Sequence, residues 1–497
     1  MYHTISFVVN KDHDFYDYCN TSTQAVNNLR NAVLFRIRQV FTFVNKPFER
    51  LTTNELEIYN EIKNALSAMG EKYAMPTKEK PRLSYAFLNK LMRVTENQDF
   101  FCKNISKQTA QHVLQNTVSE MKSFYALRKM YFQNPSSLNG RPELPHYGKK
   151  GGNHTVTLTN QDCIVYETKD GGHEVKFPLN DKRFQLGNML IPGRLMQVEI
   201  KPTHGIFVLL LTFNDGIDEV KSVSEKPTRI CGIDLGVNNL AAITNNLGIP
   251  SLLFKGKIIK SVNRYYNKIY AGIQSKQTKG SPDKFKSTPE SDALCLWRNN
   301  HIDDFMNKTA ARIIDWCIDN KIDTIVIGIN KNWKQEINIG KVNNQNFVQI
   351  PFLKFKKMIQ YRAEAVGICI IEQEESYTSK ASFFDNDYIP TYGIDDKDAH
   401  FSGKRCKKQR FYKTADGTVI NADLNGSANI IRKAIPDAFD KCQPDFDNVW
   451  IYNHPDELYI ERNKLLQWET RLSHESSKSK LKRLAKKQKL NVTPCMV

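Results

Sequence analysis

Residues 229–244 place one acidic side chain inside an apolar stretch, and this feature constrains the fold more than any other. A short apolar run rises to Asp234, is broken at Gly236, and resumes as a second β-rich run. The pattern predicts a strand, a tight turn and an antiparallel return strand. Asp234 lies between Ile233 and Leu235, where a carboxylate is costly unless it faces a polar site such as a bound metal ion. An edge-strand position facing water is the alternative, so the rest of the chain has to decide.

The balance of charge indicates a polyanionic partner. The 497 residues carry 71 Lys and Arg against 53 Asp and Glu, which gives a formal net charge of +18. An excess of this size attracts nucleic acid or, alternatively, an anionic membrane surface. Since no basic amphipathic helix of the lipid-binding kind and no run of about 18 apolar residues stands out, neither a membrane partner nor a membrane span is expected.

The cysteines and the N-terminal residues indicate an intracellular protein. The ten cysteines are scattered and form no Cys-x-x-Cys pair, so reduced thiols are expected rather than disulfides or a cysteine-based zinc ribbon. The first residues lack the basic segment and long apolar core of a signal peptide. We therefore expect a location in the bacterial cytoplasm or, in a eukaryote, in the nucleus.

The hydrophobic period changes along the chain and divides it into segments. Residues 1–10 are predicted to be a first strand, 11–135 show helical spacing, and 136–222 show period two. This order predicts a helical domain inserted into a small antiparallel barrel or sandwich. Residues 223–375 combine a strand pair with alternating helices and short apolar strands. That alternation is typical of the α/β core of ribonuclease-H-like nucleases.

Within the helical segment, three further helices are predicted at 54–68, 84–95 and 106–132. The first helix of the segment is predicted to start at an N-cap formed by residues 21–23. Arginines lie beside its apolar stripe, among them Arg30 and Arg38. They either face water or line a groove for phosphates.

The last part of the chain is polar and basic. Residues 376–422 are predicted to be an irregular basic insertion, and residues 461–497 a basic C-terminal tail. Between them, residues 423–460 begin with a helix that has Asp423 in its first turn. The helix dipole alone favours an acid at such a position, so capping is an alternative to a functional role. The tail is either a solvated arm or a tether for nucleic acid.

Several motifs follow one another in a characteristic order. The first is Gly232-Ile-Asp-Leu-Gly-Val-Asn-Asn-Leu-Ala. The second is Ile350-Pro-Phe-Leu-Lys-Phe-Lys-Lys-Met-Ile-Gln-Tyr-Arg-Ala-Glu with Glu375-Ser-Tyr-Thr-Ser-Lys, and the last is Asn421-Ala-Asp-Leu-Asn-Gly-Ser-Ala-Asn-Ile. In order and spacing they resemble the RuvC motifs of the TnpB family, transposon-encoded RNA-guided nucleases related to type V CRISPR effectors and to the eukaryotic Fanzor proteins.

The resemblance implies a multidomain protein of α+β and α/β type. A β-barrel wedge domain with an inserted helical recognition domain would precede a ribonuclease-H-like RuvC nuclease domain. The resemblance also implies an RNA-guided DNA endonuclease that cleaves double-stranded DNA next to a short flanking motif, with one protein in each ribonucleoprotein. In such proteins base pairing with the guide RNA reads the sequence, while a basic channel holds the heteroduplex by its shape and backbone.

Two departures from the family pattern concern metal ions. The four-cysteine zinc ribbon of typical members has no counterpart here, so zinc is not expected. Typical members also carry a glutamate where this chain has Gly328. Phosphodiester hydrolysis by two Mg²⁺ ions needs several converging carboxylates, and Asp234 and Asp423 alone would bind the pair poorly.

An acid at a different position in the chain could supply the missing carboxylate ligand. In a ribonuclease-H-like sheet the first, fourth and fifth strands are neighbours, so an acid at the end of the fifth strand reaches much the same point. Asp234, Glu375 and Asp423 are therefore predicted to be the catalytic and metal-binding residues, with Glu374 as the alternate to Glu375. The opposing interpretation is that both glutamates are solvated and the enzyme is inactive.

A wider set of basic and aromatic side chains is assigned to nucleic-acid binding, with a plain solvated surface as the alternative. The set comprises Arg30, Arg38, Lys149, Lys150, Trp333, Lys334, Lys341, Tyr377, Lys380, Arg405, Lys407, Lys408 and Arg410. Two other functions remain open at this point. One is an RNA-guided DNA-binding repressor that does not cleave, and the other is a transposase that joins strands.

Overall fold

The chain forms two compact units. In the computed structural model the first unit holds Met1–Ile217 and Gln488–Val497, and the second holds Asp218–Lys487. The structure describes residues 1–217, 226–278, 285–329, 349–397, 399–406, 410–440, 452 and 455–458, and the backbone of 495–496. No helix within these ranges is both long and apolar enough to cross a membrane.

Four helices follow the first strand of the first unit. They are α1 (Tyr16–Phe43), α2 (Thr53–Met69), α3 (Tyr85–Val94) and α4 (Lys107–Gln133). The last three begin after Thr52, Ser84 and Ser106, whose hydroxyls each accept a hydrogen bond from a backbone N–H in the first turn. The helices predicted at 54–68, 84–95 and 106–132 are confirmed.

The start of α1 differs from its prediction. The helix begins at Tyr16, before the cap expected at residues 21–23. Thr23 instead donates its hydroxyl proton to the carbonyl of Cys19, one turn earlier in the helix. Phe15 and Cys19 are buried, so the apolar contacts that stabilise α1 begin before the cap signal.

Two antiparallel sheets make up the rest of the first unit. The larger has the order β17-β1-β7-β6-β2, formed by Cys495–Met496, Tyr2–Val9, Ile206–Asn214, Arg194–Thr203 and Val156–Thr159. The smaller consists of β3 (Ile164–Glu167), β4 (His173–Lys176) and β5 (Arg183–Gly187). β1 pairs with β7 along its whole length, so the first strand does belong with the β-rich segment. The described strands form open sheets, and a closed barrel is not confirmed.

A mixed sheet organises the second unit. Its order is β12-β11-β8-β9-β10-β16, formed by Cys369–Glu374, Thr324–Ile329, Ile230–Leu235, Asn239–Asn245, Leu252–Lys255 and Asp456–Leu458. β8 and β9 are antiparallel, as the sequence predicts for residues 229–244. β11 lies parallel to both β8 and β12. The first, fourth and fifth strands of this unit are therefore neighbours.

Helices cover both faces of this sheet. They are α5 (Lys257–Thr278), α6 (Pro289–Asp319), α7 (Phe352–Ala365) and α8 (Ala422–Ala434). Ile325 and Ile327 of β11 pack into the core that contains α6 and α7, whereas Val326 between them packs into the core that contains α8. A strand buried on both faces explains why its sequence is continuously apolar.

The basic insertion is not wholly irregular. Three short strands, β13 (Lys404–Arg405), β14 (Phe411–Lys413) and β15 (Val419–Asn421), form an antiparallel sheet within 376–422. Tyr412 and Ile420 are each fully buried in the same core as α8. Two apolar anchors are enough to fix this small sheet, although charged neighbours mask its period in the sequence.

Candidate functional site

Asp234 lies near the carboxyl end of the central strand β8 and faces α8. Its Oδ2 is 2.8 Å from the position that a Cβ at Gly426 would occupy, so the helix approaches the carboxylate closely. Burial, together with the negative charges of Glu375 and Asp423, raises the pKa of Asp234 well above its usual range. The acid that stands alone in the sequence thus has both other predicted carboxylates as electrostatic neighbours.

Glu375 directly follows β12, and its carboxylate lies over Gly328 of the adjacent strand. A Cβ on Gly328 would come within 2.5 Å of Glu375 Oε2 and 2.6 Å of Ile430 Cδ1. Because Gly328 has no side chain, there is space above it, and the Glu375 carboxylate fits into that space. Burial, and then the charge of Glu374, raise the pKa of Glu375 to about 7.

Glu374 has its carboxylate engaged elsewhere. Lys433 Nζ donates to its Oε2 at 2.7 Å, and the backbone N–H of Ser376 donates to its Oε1 at 2.7 Å. Although burial opposes ionisation, these hydrogen bonds hold the pKa of Glu374 below its usual value. Because both oxygens already have donors, the geometry favours Glu375 over Glu374 as a metal ligand.

Asp423 stands in the first turn of α8, but another residue caps that helix. Asn421 Oδ1 accepts hydrogen bonds from the backbone N–H groups of Asp423 and Leu424. The carboxylate of Asp423 is instead held by Asn239 Nδ2 at 2.7 Å and by Arg405 Nη2 at 3.2 Å. The side chain of Asp423 therefore faces the acidic site. Asn239 was missed in the sequence, where it looks like an ordinary turn residue.

The donor chemistry of these acids fits Mg²⁺. Within the described ranges, no three Asp, Glu, His or Cys side chains have the arrangement of a metal site. Asp234, Glu375 and Asp423 nevertheless offer only oxygen ligands, which Mg²⁺ prefers. The pKa values of Asp234 and Glu375 are raised, and a nearby cation would relieve this cost of ionisation. Arg405 would have to leave Asp423 for a metal ion to take its place.

Further cations lie around the acids. The charge of Arg405 acts on Asp234 as well as on Asp423. Lys260 donates to Asn238 Oδ1, in the turn before β9. Burial and then the charge of Arg410 lower the pKa of Lys260, so these two cations repel each other. A polyanion bound along this rim would relieve that repulsion.

Other residues assigned to nucleic-acid binding have different surroundings. Arg30 is buried, and its guanidinium donates to Glu120 Oε2 at 2.6 Å and to the carbonyl of His146 at 3.0 Å. Its assignment to a phosphate groove is therefore wrong, because these contacts occupy the guanidinium. The sequence did not indicate them, since Glu120 lies far away along the chain. Lys149 and Lys150 are exposed, in the loop that these α1 contacts fix.

Tyr377 is half-exposed and anchors a loop. Its hydroxyl donates to Asp396 Oδ2 at 2.7 Å, and its ring stacks on Phe401 with centroids 6.0 Å apart. The exposed Lys380 lies over the same ring at 5.1 Å. The assigned residues Trp333, Lys334, Lys341, Lys407 and Lys408 lie outside the described residues.

One surface of the first unit brings Arg38, which the sequence assigned to nucleic-acid binding, together with residues that it did not assign. Arg38, Arg128 and Arg141 line a cavity of about 330 Å³ together with Phe41 and Phe124, and we name these five residues the arginine groove. The Arg128 guanidinium lies 5.3 Å from the centre of the Phe41 ring. Alternating guanidinium and aromatic groups suit the phosphates and bases of nucleic acid. The sequence signal was the spacing of Phe124 and Arg128 one turn apart on α4.

These features define a multidomain protein of mixed α and β structure with an acidic site beside a basic rim. Residues 215–334 match the family model OrfB_IS605, described as "Probable transposase", and residues 352–430 match the model described as "Cas12f1-like, TNB domain". The chain is 24% identical over 228 residues to the TnpB-like protein ORF457 of Acidianus two-tailed virus. That match covers 44% of each protein, so the chain spans under half of this relative's length.

Among solved structures, the chain is similar to a Cas12f1–sgRNA–target DNA complex, with 14% identity, a TM-score of 0.41 and 82% of each chain covered. It is also similar to Alicyclobacillus acidoterrestris C2c1 in complex with single-guide RNA, with 10% identity and a TM-score of 0.27; the match covers 83% of this chain and 70% of that one. The two family models and the viral relative confirm the resemblance predicted from the motifs. Over these ranges the chain is similar to TnpB-like and Cas12f1-like proteins.

Proposed function

We propose that this protein is an RNA-guided DNA endonuclease with one RuvC-type site formed by Asp234, Glu375 and Asp423. One observation carries the proposal. Glu375 after β12 and Asp423 in the first turn of α8 are distant in the sequence, yet both charges act on Asp234 of β8, and Gly328 leaves room for Glu375. A set of solvated surface acids would not need a glycine at that position.

The three carboxylates would hold two Mg²⁺ ions, which supply an activated water and stabilise the leaving oxygen of the phosphodiester when bound. The protein's own groups prepare the site for them. Asp234 and Glu375 are half-buried, and this partial desolvation strengthens their attraction to cations. Asn239 orients the Asp423 carboxylate through one hydrogen bond.

Nucleic acid is the partner that the charge distribution suits. Arg405 lies beside the acids, Lys260 binds Asn238 next to the Asp423 partner Asn239, and the charge of Arg410 acts on Lys260. These three cations can neutralise a phosphate backbone that enters the site. The arginine groove of the first unit offers a second basic surface with aromatic rings. We propose a guide RNA and double-stranded DNA as the partners, with one protein in each ribonucleoprotein.

Plasmid cleavage by the copurified ribonucleoprotein tests the proposal. The bound RNA is sequenced, a plasmid that carries its complement beside randomised flanking bases is added with Mg²⁺, and cleavage products are mapped. Glu375→Ala is expected to abolish cleavage, whereas Glu374→Gln, which changes the adjacent acid, is expected to retain most of it. Full activity of Glu375→Ala would show that the acid assignment is wrong. Absence of any copurified RNA would contradict the proposed class.

A second function is supported by one specific observation. Asp423 is paired with Arg405, and no three acids have the arrangement of a metal site among the residues that the structure describes. Both facts would also suit an RNA-guided DNA-binding protein that represses without cutting. The same assay separates the two functions, because such a protein would retain the plasmid in a gel shift and leave it intact.

A further inference from the structure

One face of α8 carries a row of polar side chains that holds the segment after β12. Asn425, Asn429 and Lys433 are spaced four residues apart, so they lie on the same side of the helix. Both asparagines are fully buried. Asn425 Nδ2 donates to the carbonyl of Ala381 at 2.8 Å, and Asn429 Nδ2 donates to the carbonyl of Thr378 at 2.8 Å. The backbone after the strand is therefore bonded to the helix at several points.

Lys433 is the last member of this row and has the largest number of acceptors. Its Nζ lies 2.7 Å from Glu374 Oε2, 3.0 Å from the Ser376 carbonyl, 3.4 Å from Ser376 Oγ and 2.9 Å from the Pro390 carbonyl. Its side chain is only 8% exposed. An ammonium has three protons, so all of them are engaged here.

The contacts of Lys433 enclose the candidate metal ligand. Glu374 and Ser376 are the residues on either side of Glu375, and both are bonded to the same ammonium. Asp423 lies in the first turn of the same helix. α8 thus carries one proposed metal ligand itself and fixes the backbone of another through Lys433.

We infer that Lys433 is a positioning residue, which fixes the backbone on both sides of Glu375 and thereby the placement of its carboxylate relative to Asp423. The inference rests on the proposed function, because it takes Glu375 to be a metal ligand. Lys433 holds the residues before and after Glu375, so the backbone between them is fixed. Glu375 is thereby placed with its carboxylate over Gly328.

A neighbouring ion pair provides a matched control. Lys356 of α7 pairs with Glu372 of the same strand β12, and its side chain is 15% exposed. Glu372 is paired in register with Ile327, whose side chain belongs to the core on the α6 and α7 side. Loss of Lys356 removes an ion pair of the same type from the same strand but leaves the α8 contacts in place.

Metal binding to the full-length protein tests the inference independently of cleavage. Mn²⁺ serves as the probe, and the unbound ion is measured by electron paramagnetic resonance. Lys433→Met is expected to weaken Mn²⁺ binding about 10- to 100-fold, the usual effect of removing a group that orients a metal ligand. Lys433→Arg, which keeps the charge, is expected to lose much less affinity for Mn²⁺. Lys356→Met is expected to bind Mn²⁺ as tightly as the wild type does.

A double variant separates positioning from simple charge neutralisation. Glu374→Gln with Lys433→Met removes both charges, so it leaves no unpaired carboxylate and is expected to fold. Mn²⁺ binding that stays weak in the double variant supports positioning, whereas recovery to the wild-type affinity would overturn it. Lys433→Met that binds as well as Lys356→Met would overturn it also. If the wild type itself binds no Mn²⁺ and cuts no DNA, the proposed function fails instead.

Discussion

At the scale of single residues, Gly328 and Glu375 act as a pair because the first leaves the space that the second fills. The carboxylate of Glu375 reaches over β11 from the end of the next strand, and Ile430 of α8 closes the remaining side. Any side chain at position 328 would compete with both neighbours. The site therefore depends on a missing Cβ as much as on the acids themselves.

Gly328→Ala tests this dependence. The new methyl group would lie 2.5 Å from Glu375 Oε2, so the carboxylate has to move and cleavage is expected to fall about 10- to 100-fold, as for other groups that orient a metal ligand. Gly272→Ala is the control, since a Cβ at that position in α5 meets nothing within 4 Å. Initial rates with saturating RNA and Mg²⁺ provide the measurement. Equal rates for both variants would show that Gly328 is not reserved for Glu375.

The pKa of Glu375 predicts how stability changes with pH when no metal is bound. Folding raises this pKa from 4.5 to about 7, so the folded protein binds the proton more tightly than the unfolded chain. Its contribution to stability is complete below the unfolded value and is lost as pH rises through about 7. The glutamine of Glu375→Gln does not ionise, so this variant does not lose stability in that way. Between about pH 5 and 8, its free energy of unfolding should rise relative to that of the wild type by on the order of 1–3 kcal/mol.

Urea unfolding of the metal-free protein at a series of pH values measures this difference. Glu374→Gln is the control, because folding lowers the pKa of Glu374 and its contribution is lost only as pH falls. That variant should be less stable than the wild type across the whole range. A difference in the free energy of unfolding between Glu375→Gln and the wild type that does not change with pH would contradict the raised pKa of Glu375.

At the scale of elements, the spacing of apolar residues located the helices and strands that bury a face, because burial imposes that spacing. The helices α2, α3 and α4 and the apolar strand β11 were predicted on that basis. Features that depend on distant partners were not. Arg30 is buried because Glu120 meets it from another helix. The sheet of β13, β14 and β15 exists because Tyr412 reaches a core formed largely by other segments.

The candidate site shows the same division. Asp234 and Asp423 could be predicted from motifs, and Glu375 from the order of strands that those motifs imply. Their restraining contacts could not, because Asn239, Arg405 and Lys433 carry no pattern of their own. Each acts through one or a few hydrogen bonds whose partners are far away in the sequence. Side-chain contacts of this kind become visible only in the folded structure.

The short strand β13 carries the cation that pairs with Asp423. Arg405→Gln removes a charge 3.2 Å from the carboxylate, so Mn²⁺ binding to the protein without nucleic acid should tighten about threefold to tenfold, since roughly 1 kcal/mol of competition is lost. Lys404→Gln changes the neighbouring exposed residue and should have little effect. Unbound Mn²⁺ is measured as above. Unchanged affinity in Arg405→Gln would show that this ion pair does not compete with metal.

At the scale of the whole molecule, the net charge of +18 is distributed over surfaces with different surroundings. In the second unit, Arg405 pairs with Asp423 and its charge also acts on Asp234. In the first unit, the arginine groove combines three guanidinium groups with two aromatic rings, and Glu143 is the one acid that lines the same cavity. The groove therefore has groups suited to bind phosphates without a metal ion.

RNA binding over a range of salt concentrations tests the arginine groove. Arg128→Gln and Arg141→Gln each remove one cation, so each should weaken binding of the copurified RNA and reduce the slope of log affinity against log salt by about 0.7–0.9. Lys122→Gln, an exposed residue of α4 outside the groove, is the control. Anisotropy of labelled RNA between about 50 and 200 mM salt covers the range in which counterion release dominates. If all three variants lower the slope equally, binding depends on net charge alone and the groove has no special part in it.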